Sequence, residues 1–225
     1  LYSDTARNYS RDHLNTVYKA YESLYFSGNK AHVLPEERLN QVFDYKALII
    51  PNVRNISRDN LEIIKDYIAK GGKVLLFGND NLSKDEYNKP IEKNLTDDIY
   101  SKSERFETES EGILVSKPAD IEIRDYFYEY AKKLGGSQIE LVDPESGKRL
   151  DNTEFEYGVL GENIIINCCN YEFNAPKKFK VLINGVEQTE MTELRSLEKI
   201  EGGVVDLKPW LPVMLRVDGA AKQLK

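Results

Sequence analysis

The stretch of residues 43–78 constrains the fold more than any other part of the chain. An apolar run at residues 47–50 is stopped by Pro51 and suits a strand that is buried on both faces of a parallel sheet. A helix follows, opened by Ser57 and ended by the glycine pair at 71–72. A second buried strand is predicted at residues 74–77. Together these elements form a βαβ unit.

The carboxyl ends of these two strands are where such a sheet would carry its chemistry. They hold Pro51-Asn52 and Gly78-Asn79-Asp80. Neither end offers a cysteine, a serine elbow or a glycine-rich phosphate loop. The scaffold looks like that of an enzyme, but the expected catalytic residues are missing.

The segments DYKALIIP (residues 44–51) and YIAKGGKVLL (67–76) carry a family resemblance. They resemble the glutamine-amidotransferase-like domain, called the trimerisation domain, that follows the barrel in bacterial glycoside hydrolases such as the family 42 β-galactosidases. The upstream segment VYKAYESLYFSGNKAHVLPEE (17–37) is similar to that domain's first helix and second strand, so the resemblance covers roughly residues 1–135. The tail LKPWLPVMLRV (207–217) resembles the closing strand of the small β domain that ends these enzymes.

This resemblance implies a flavodoxin-like α/β domain that is a degenerate class I glutamine amidotransferase. It also implies a partner, either a catalytic barrel of the same polypeptide or other subunits. Because the chain begins Leu-Tyr-Ser-Asp, we expect a piece of a longer protein or a processed product.

Composition excludes several classes of function. The formal net charge of −7 argues against nucleic acid as a partner, because such a groove needs clustered Lys and Arg. No apolar run is long enough for a membrane span. The two cysteines, Cys168 and Cys169, are adjacent and are expected to be free thiols on opposite faces of a strand. They favour a reducing compartment, so a soluble cytoplasmic protein is preferred to a secreted one.

The pattern of elements changes near Gly135-Gly136-Ser137, and we expect a domain boundary there. Residues 1–136 form the predicted α/β domain, with strands at 31–34 and 112–116, an aromatic-rich helix at 119–134, and an irregular polar segment at 79–111 that suits a lid, insertion or contact loop. Residues 137–219 form a predicted antiparallel β-sandwich, and 220–225 a tail. The predicted strands of the β-sandwich lie at residues 138–142, 155–159, 163–169, 178–183, 204–207 and 213–217.

No catalytic, cofactor-binding or metal-binding residue can be assigned. An amidotransferase needs a cysteine on its nucleophile elbow with a histidine and a carboxylate later in the chain, whereas His13 and His32 both precede the core strands. We expect His13 to lie at the surface or at a helix cap. His32 is expected to be a packed or edge residue of a strand.

Aromatic residues are the one feature that suits binding. The candidates for an interface or a sugar contact are Tyr87, Tyr100, Tyr126, Tyr128, Tyr130 and Trp210. Core packing is the third possibility for them. Trp210, which is flanked by prolines, is expected to plug the sandwich or a domain junction, with a ligand platform as the alternative.

The sequence thus favours a non-catalytic accessory region of a larger carbohydrate-active enzyme, which holds domains or subunits together. The alternative is a carbohydrate-binding module that acts through exposed aromatic residues. An independent small-molecule enzyme at the sheet edge is the least favoured hypothesis. A (β/α)₈ pattern encoded before Leu1 would support the first hypothesis.

Overall fold

The computed structural model of the chain describes residues 1–108, 121–136 and 138–224. Two compact units can be distinguished. The first comprises Leu1–Glu22 and His32–Ala119, and the second comprises Ser23–Ala31 and Asp120–Lys225. Across the described ranges, no helix is both long and apolar enough to cross a membrane.

The first unit is built on a parallel sheet whose described strands follow the order β1-β2-β3. These strands are β1 (Ala47–Pro51), β2 (Lys73–Phe77) and β3 (Glu104–Phe106). The four residues of β2 after Lys73 are all buried, as expected for a strand covered on both faces. The βαβ unit predicted from the sequence is therefore present.

Helices and short 3₁₀ segments make up the rest of the regular structure described in the first unit. The helices are α1 (Asp4–Tyr9), α2 (Arg11–Tyr25), α3 (Arg58–Ala69) and α4 (Asp97–Lys102), with 3₁₀ segments at Glu36–Asp44 and Lys93–Leu95. The last three residues of α2 belong to the second unit. The Ser57 hydroxyl accepts the N–H of Asn60 at 3.2 Å and caps α3. Gly71, at φ +91°, ends it. The buried face of α3 comprises Leu61, Ile64 and Tyr67.

The polar segment expected to be irregular contains regular structure in its described part, 79–108. Helix α4 and strand β3 both lie in it, and β3 extends the parallel sheet. Ile99 of α4 is fully buried and anchors the segment to the core. A single buried apolar residue in a polar sequence produces too weak a periodicity to be recognised.

The most buried face of helix α2 differs from the one that its sequence pattern predicts. The prediction placed an apolar face at Leu14, Val17, Tyr18, Tyr21, Leu24 and Tyr25. The buried positions are instead His13, Thr16, Ala20 and Ser23, while Tyr18 is 60% exposed. The spacing is helical, but the buried side chains are small or polar because part of this face meets the polar end of strand β1.

Two other expectations near the sheet differ from the structure. Residues 31–34 form no strand, and His32 is exposed rather than packed in a strand. An isolated bridge joins Tyr2 to Pro35 here. The strand predicted at 112–116 and the first residues of the helix predicted at 119–134 lie outside the described residues.

The second unit contains the antiparallel strands that the sequence predicted, packed as two sheets. One sheet has the order β10-β9-β12-β6-β5 and the other the order β11-β7-β4, with β8 paired to β7. The strands are β4 (Ile139–Val142), β5 (Thr153–Leu160), β6 (Asn163–Asn170), β7 (Lys177–Ile183), β8 (Val186–Glu187), β9 (Glu190–Glu193), β10 (Lys199–Glu201), β11 (Val205–Leu207) and β12 (Val213–Val217). The prediction did not include the short strands β8, β9 and β10.

A tight hairpin joins β7 to β8, as the Asn-Gly pair predicted. Asn184 and Gly185 have φ values of +47° and +79°, which is the left-handed pair that a two-residue hairpin requires. The strands alternate in burial, and their inward residues form one apolar cluster. Phe179, Val181 and Ile183 of β7 are fully buried within it.

Helix α5 (Ile121–Lys133) belongs to the second unit rather than to the α/β unit. Its Arg124 guanidinium donates to Asn152 Oδ1 at 2.6 Å, and Arg149 lies 4.7 Å from the ring centre of Tyr128. The helix ends before Gly135, at φ +75°, as the sequence predicted. The division between compact units therefore precedes this helix, whereas the sequence placed the domain boundary after it.

Residues 23–31 also belong to the second unit, although they lie far away in sequence. The Tyr25 hydroxyl donates to the Glu156 carboxylate at 2.6 Å. Gly28, at φ +68°, faces the ring of Phe155 so closely that an added Cβ would lie 2.2 Å from its Cζ. A bare glycine is required here for two reasons, its backbone conformation and the contact with the ring.

We predict that Gly28→Ala destabilises the second unit by roughly 2–4 kcal/mol, because positive φ and steric overlap add. Gly161→Ala is the matched control, since Gly161 also has a positive φ, +62°, but has nothing within 4 Å. That control is expected to cost only about 1 kcal/mol. Urea denaturation measures both variants. Equal losses would show that the Phe155 contact does not hold this segment.

Candidate functional site

The carboxyl edge of the parallel sheet is the first place to look for a site. Asn52 follows β1 there and is buried, with a left-handed φ of +47°. Its Oδ1 accepts the N–H of Asp80 at 3.0 Å, and its Nδ2 donates to Thr16 Oγ1 at 3.0 Å. The amide is thus engaged on both sides, by the loop after β2 and by helix α2.

Gly78 occupies the position directly after β2, where the nucleophile of an amidotransferase would be expected. Its φ is +95°, and an added Cβ would lie 2.2 Å from Asn52 Oδ1. The amide of Asn52 therefore fills the space that any side chain at position 78 would need. Asn81 closes the edge further, because its Oδ1 accepts the N–H of Val53 at 3.0 Å.

His13 joins α2 to the same edge. Its side chain is fully buried, which shows that the predicted surface position was wrong. Nδ1 lies 2.7 Å from the carbonyl oxygen of Pro51, and Nε2 lies 3.0 Å from the N–H of Ser3. A proton on Nδ1 satisfies both contacts, so the imidazole is neutral. Burial lowers its pKa.

A serine, a histidine and a carboxylate occur together here, but they do not form a triad. The Ser3 hydroxyl donates to Glu36 Oε2 at 2.8 Å and accepts the N–H of Ala6. His13 contacts the backbone of Ser3, not its hydroxyl. The histidine is therefore not placed to activate this hydroxyl, and the cluster ties the amino-terminal turn to the sheet.

The cysteines offer no nucleophile either. Both lie on β6 in the second unit, and burial raises the pKa of Cys168 to about 12. Within the described ranges, no group of three or more His, Cys, Asp or Glu side chains could hold a metal ion.

The aromatic candidates of the first unit differ in exposure. Tyr87 is 73% exposed and lies beside a shallow groove of about 300 Å³, whose wall includes Arg58 and Ile91. Tyr100 is half-buried, and its hydroxyl donates to the carbonyl oxygen of Asn81. Tyr100 thus supports the loop at the sheet edge, while Tyr87 presents its ring to solvent.

The aromatic candidates of α5 lie mostly inside the second unit. Tyr128 and Tyr130 are buried, and Tyr126 is half-buried with its ring stacked on that of Tyr130 at 6.4 Å. Lys132 donates to the Tyr128 hydroxyl at 3.2 Å. Their rings offer little surface to a partner or a sugar in this arrangement.

Trp210 does not plug the sandwich, because 53% of it is exposed. Tyr171 and Phe173, which the sequence analysis did not select, lie beside it. Tyr171 and Phe173 were missed because they follow β6 in a polar loop, where periodicity gives no signal. The one available clue was a run of aromatic residues at a turn.

The sequence matches no protein-family model, and it matches no curated protein. Solved structures do share the fold. The exo-carrageenase GH42 from Bacteroides ovatus aligns over 92% of this chain with a TM-score of 0.65 and 18% identity, and the match covers 27% of that chain.

Two β-galactosidases give a similar result. Gan42B, a GH42 enzyme from G. stearothermophilus, aligns over 92% of this chain and 36% of its own, with a TM-score of 0.62 and 13% identity. The β-galactosidase from Bacillus circulans sp. alkalophilus aligns over 91% and 37%, with a TM-score of 0.58 and 11% identity. At these identities the likeness shows the fold alone. The chain spans about a third of the length of these enzymes.

We predict that stability falls below pH ~6.5 through His13. The folded pKa lies below the unfolded one, so the unfolded state binds more protons as the pH drops through this range. Each pH unit then costs up to about 1.4 kcal/mol until the folded pKa is reached. The stability that His13 provides is fully present above the unfolded pKa.

The measurement is urea denaturation of His32→Gln and of the double variant His13→Gln/His32→Gln, at about pH 7.5 and 5.5. His13 is the only histidine left in the first protein. We expect the gap in unfolding free energy between the two proteins to shrink at the lower pH, by at most about 1.4 kcal/mol per pH unit. An unchanged gap would contradict a neutral buried imidazole.

Proposed function

We propose that this chain is a non-catalytic accessory region of a larger glycoside hydrolase, which holds domains or subunits together. The observation that carries the proposal is the length of the structural match. Nearly all of this chain aligns with 27–37% of three longer chains whose names describe carbohydrate-active enzymes. The rest of such a protein would supply the catalytic barrel.

The closed sheet edge supports the non-catalytic part of the proposal. In the amidotransferase-like domain that the sequence resembles, a nucleophile would follow the second strand. Gly78 takes that position here, and Asn52 fills the space beside it. The first unit is accordingly a degenerate amidotransferase-like domain with a flavodoxin-like layer arrangement, retained for its shape and surface.

The outward face of α2 supports the association part. Tyr18 is 60% exposed on this helix, and its neighbours Leu14 and Val17 are only half-buried. We call these three residues the α2 stripe. Tyrosine is enriched at protein interfaces, where an apolar ring is buried while its hydroxyl keeps a polar partner. A standard interface needs about 800 Å² from each partner, so this stripe would form part of a larger contact.

The experiment uses the full-length polypeptide that contains this chain together with its flanking sequence. A (β/α)₈ barrel with two catalytic carboxylates is expected there. The full-length protein should hydrolyse a nitrophenyl glycoside, whereas the isolated chain should hydrolyse neither that glycoside nor glutamine. Absence of a barrel from the encoded protein would overturn the proposal.

Assembly of the full-length protein tests the association role. We predict that Tyr18→Ser weakens it, measured by light scattering over a range of concentrations. Tyr9→Ser is the control, because Tyr9 is also an exposed tyrosine, at 46%, but belongs to α1. If Tyr18→Ser assembles like the parent protein and like the control, the α2 stripe is not the interface.

A further inference from the structure

Three exposed aromatic residues lie together at one end of the second unit. We call Tyr171, Phe173 and Trp210 the aromatic platform; they are 39%, 80% and 53% exposed. The ring centres of Trp210 and Tyr171 are 5.0 Å apart at an angle of 86°, and those of Trp210 and Phe173 are 6.3 Å apart at 77°. The rings thus support one another edge to face while they remain in contact with solvent.

One buried residue organises the two loops that carry these rings. Asn170, at the end of β6, donates from Nδ2 to the carbonyl oxygens of Ala175 at 2.8 Å and Leu207 at 3.4 Å. Its Oδ1 accepts the N–H of Glu172 at 3.0 Å. Its own carbonyl accepts the N–H of Trp210 at 2.9 Å. The platform is therefore held in place before any ligand arrives.

The platform is also fixed by contacts of Tyr171 with residues outside it. The ring of Tyr171 packs edge to face on Phe26, with ring centres 6.1 Å apart, and the Arg124 guanidinium lies 4.5 Å from the centre of the Phe26 ring. A hydrogen bond with Glu154, followed by burial, raises the pKa of Tyr171 to about 12. The phenol consequently stays neutral and tethered.

Stability alone does not explain this arrangement. Trp210 has a φ of +58°, a left-handed conformation that costs a bulky residue about 1 kcal/mol or more. Phe173 and Trp210 also leave most of their apolar surface in water, which forgoes the gain from burial. Strain combined with exposed aromatic surface is typical of binding sites.

We propose that the aromatic platform binds carbohydrate by stacking the C–H face of a neutral pyranose ring on Trp210, while Phe173, which is nearly perpendicular to the indole, contacts the edge of the same sugar. This site goes beyond the accessory role and does not depend on it. The indole face matches the apolar face of the sugar, and polar groups nearby match its hydroxyls. Small-molecule sites combine apolar walls with a few placed polar groups in this way.

The polar groups at the platform favour a sugar over a protein partner. Within the described residues, the indole N–H of Trp210 has no hydrogen-bond partner and remains available as a donor. The Glu172 carboxylate, between Tyr171 and Phe173 in the loop, accepts Asn152 Nδ2 at 2.8 Å and pairs with Lys177 at 3.6 Å. A charged carboxylate that keeps one third of its side chain exposed suits hydroxyl groups, whereas the cores of protein interfaces are depleted of charge.

The chain contains a single tryptophan, so its fluorescence reports on the platform alone. The whole chain is titrated with a neutral galactan-derived oligosaccharide and, as a second arm, with a sulfated carrageenan-derived one. We expect a saturable change in emission with the neutral sugar, at a Kd on the order of 1 mM. The sulfated sugar is expected to bind more weakly, because Glu172 is anionic.

Phe173→Ala retains the reporter and should weaken binding about fivefold to tenfold. Leu160→Ala is the control, because Leu160 is 67% exposed and pairs with Asn163, at the opposite end of β6 from Asn170. Trp210→Ala is measured by affinity electrophoresis in a gel that contains galactan, where it should lose retardation. Circular dichroism confirms that each variant is folded.

Absence of saturable binding for both sugars would overturn the proposal. Equal affinities for Phe173→Ala and the parent chain would also overturn it. A third outcome would contradict it as well, namely that Trp210→Ala changes self-association in sedimentation while no sugar binds. That result would assign the platform to a protein partner. None of these outcomes bears on the assembly measured with Tyr18→Ser.

Discussion

The contact between the Asn52 amide and Gly78 determines what the first unit can do. The amide bridges the loop after β2 and helix α2, and it occupies the space beside the position that follows the strand. A buried amide with both its acceptor and its donor satisfied is costly to disturb. The carboxyl edge of the sheet is therefore closed by the hydrogen-bonded Asn52 side chain, and we call this arrangement the polar lock. Thr16 and His13 hold helix α2 against this edge.

Because of the polar lock, the fold of the first unit does not by itself indicate its function. A parallel sheet with a strand–turn at Gly78 is the scaffold on which a nucleophile would be displayed, yet its edge is used to fasten the amino-terminal helix. What the described surface offers instead is aromatic side chains, with Tyr18 and Tyr87 on the first unit and Trp210 on the second. Exposed aromatic side chains are suited to contacts with other protein segments or with sugars.

Sequence patterns predicted the fold better than they predicted the surface. The apolar run of β2 and the alternation of β7 are direct consequences of burial, so they could be recognised without a structure. The buried face of helix α2 could not be predicted correctly, because the edge that it covers presents the Pro51 carbonyl and the Asn52 side-chain amide. The helix therefore buries Thr16 and His13 against this edge rather than its apolar side chains. The amide contact depends on a positive φ and on a partner 26 residues away, which no local pattern encodes.

A double-mutant cycle between positions 52 and 78 tests the polar lock most directly. Gly78→Ala should destabilise the chain more than Gly71→Ala, which also has a positive φ, +91°, but has open space around it. Asn52→Gly accepts the left-handed backbone and removes the amide. In that background Gly78→Ala should cost less, which gives a coupling free energy of about 1–3 kcal/mol in urea denaturation. Additive losses would contradict the account, because they would show that the Asn52 side chain does not occupy the space beside Gly78.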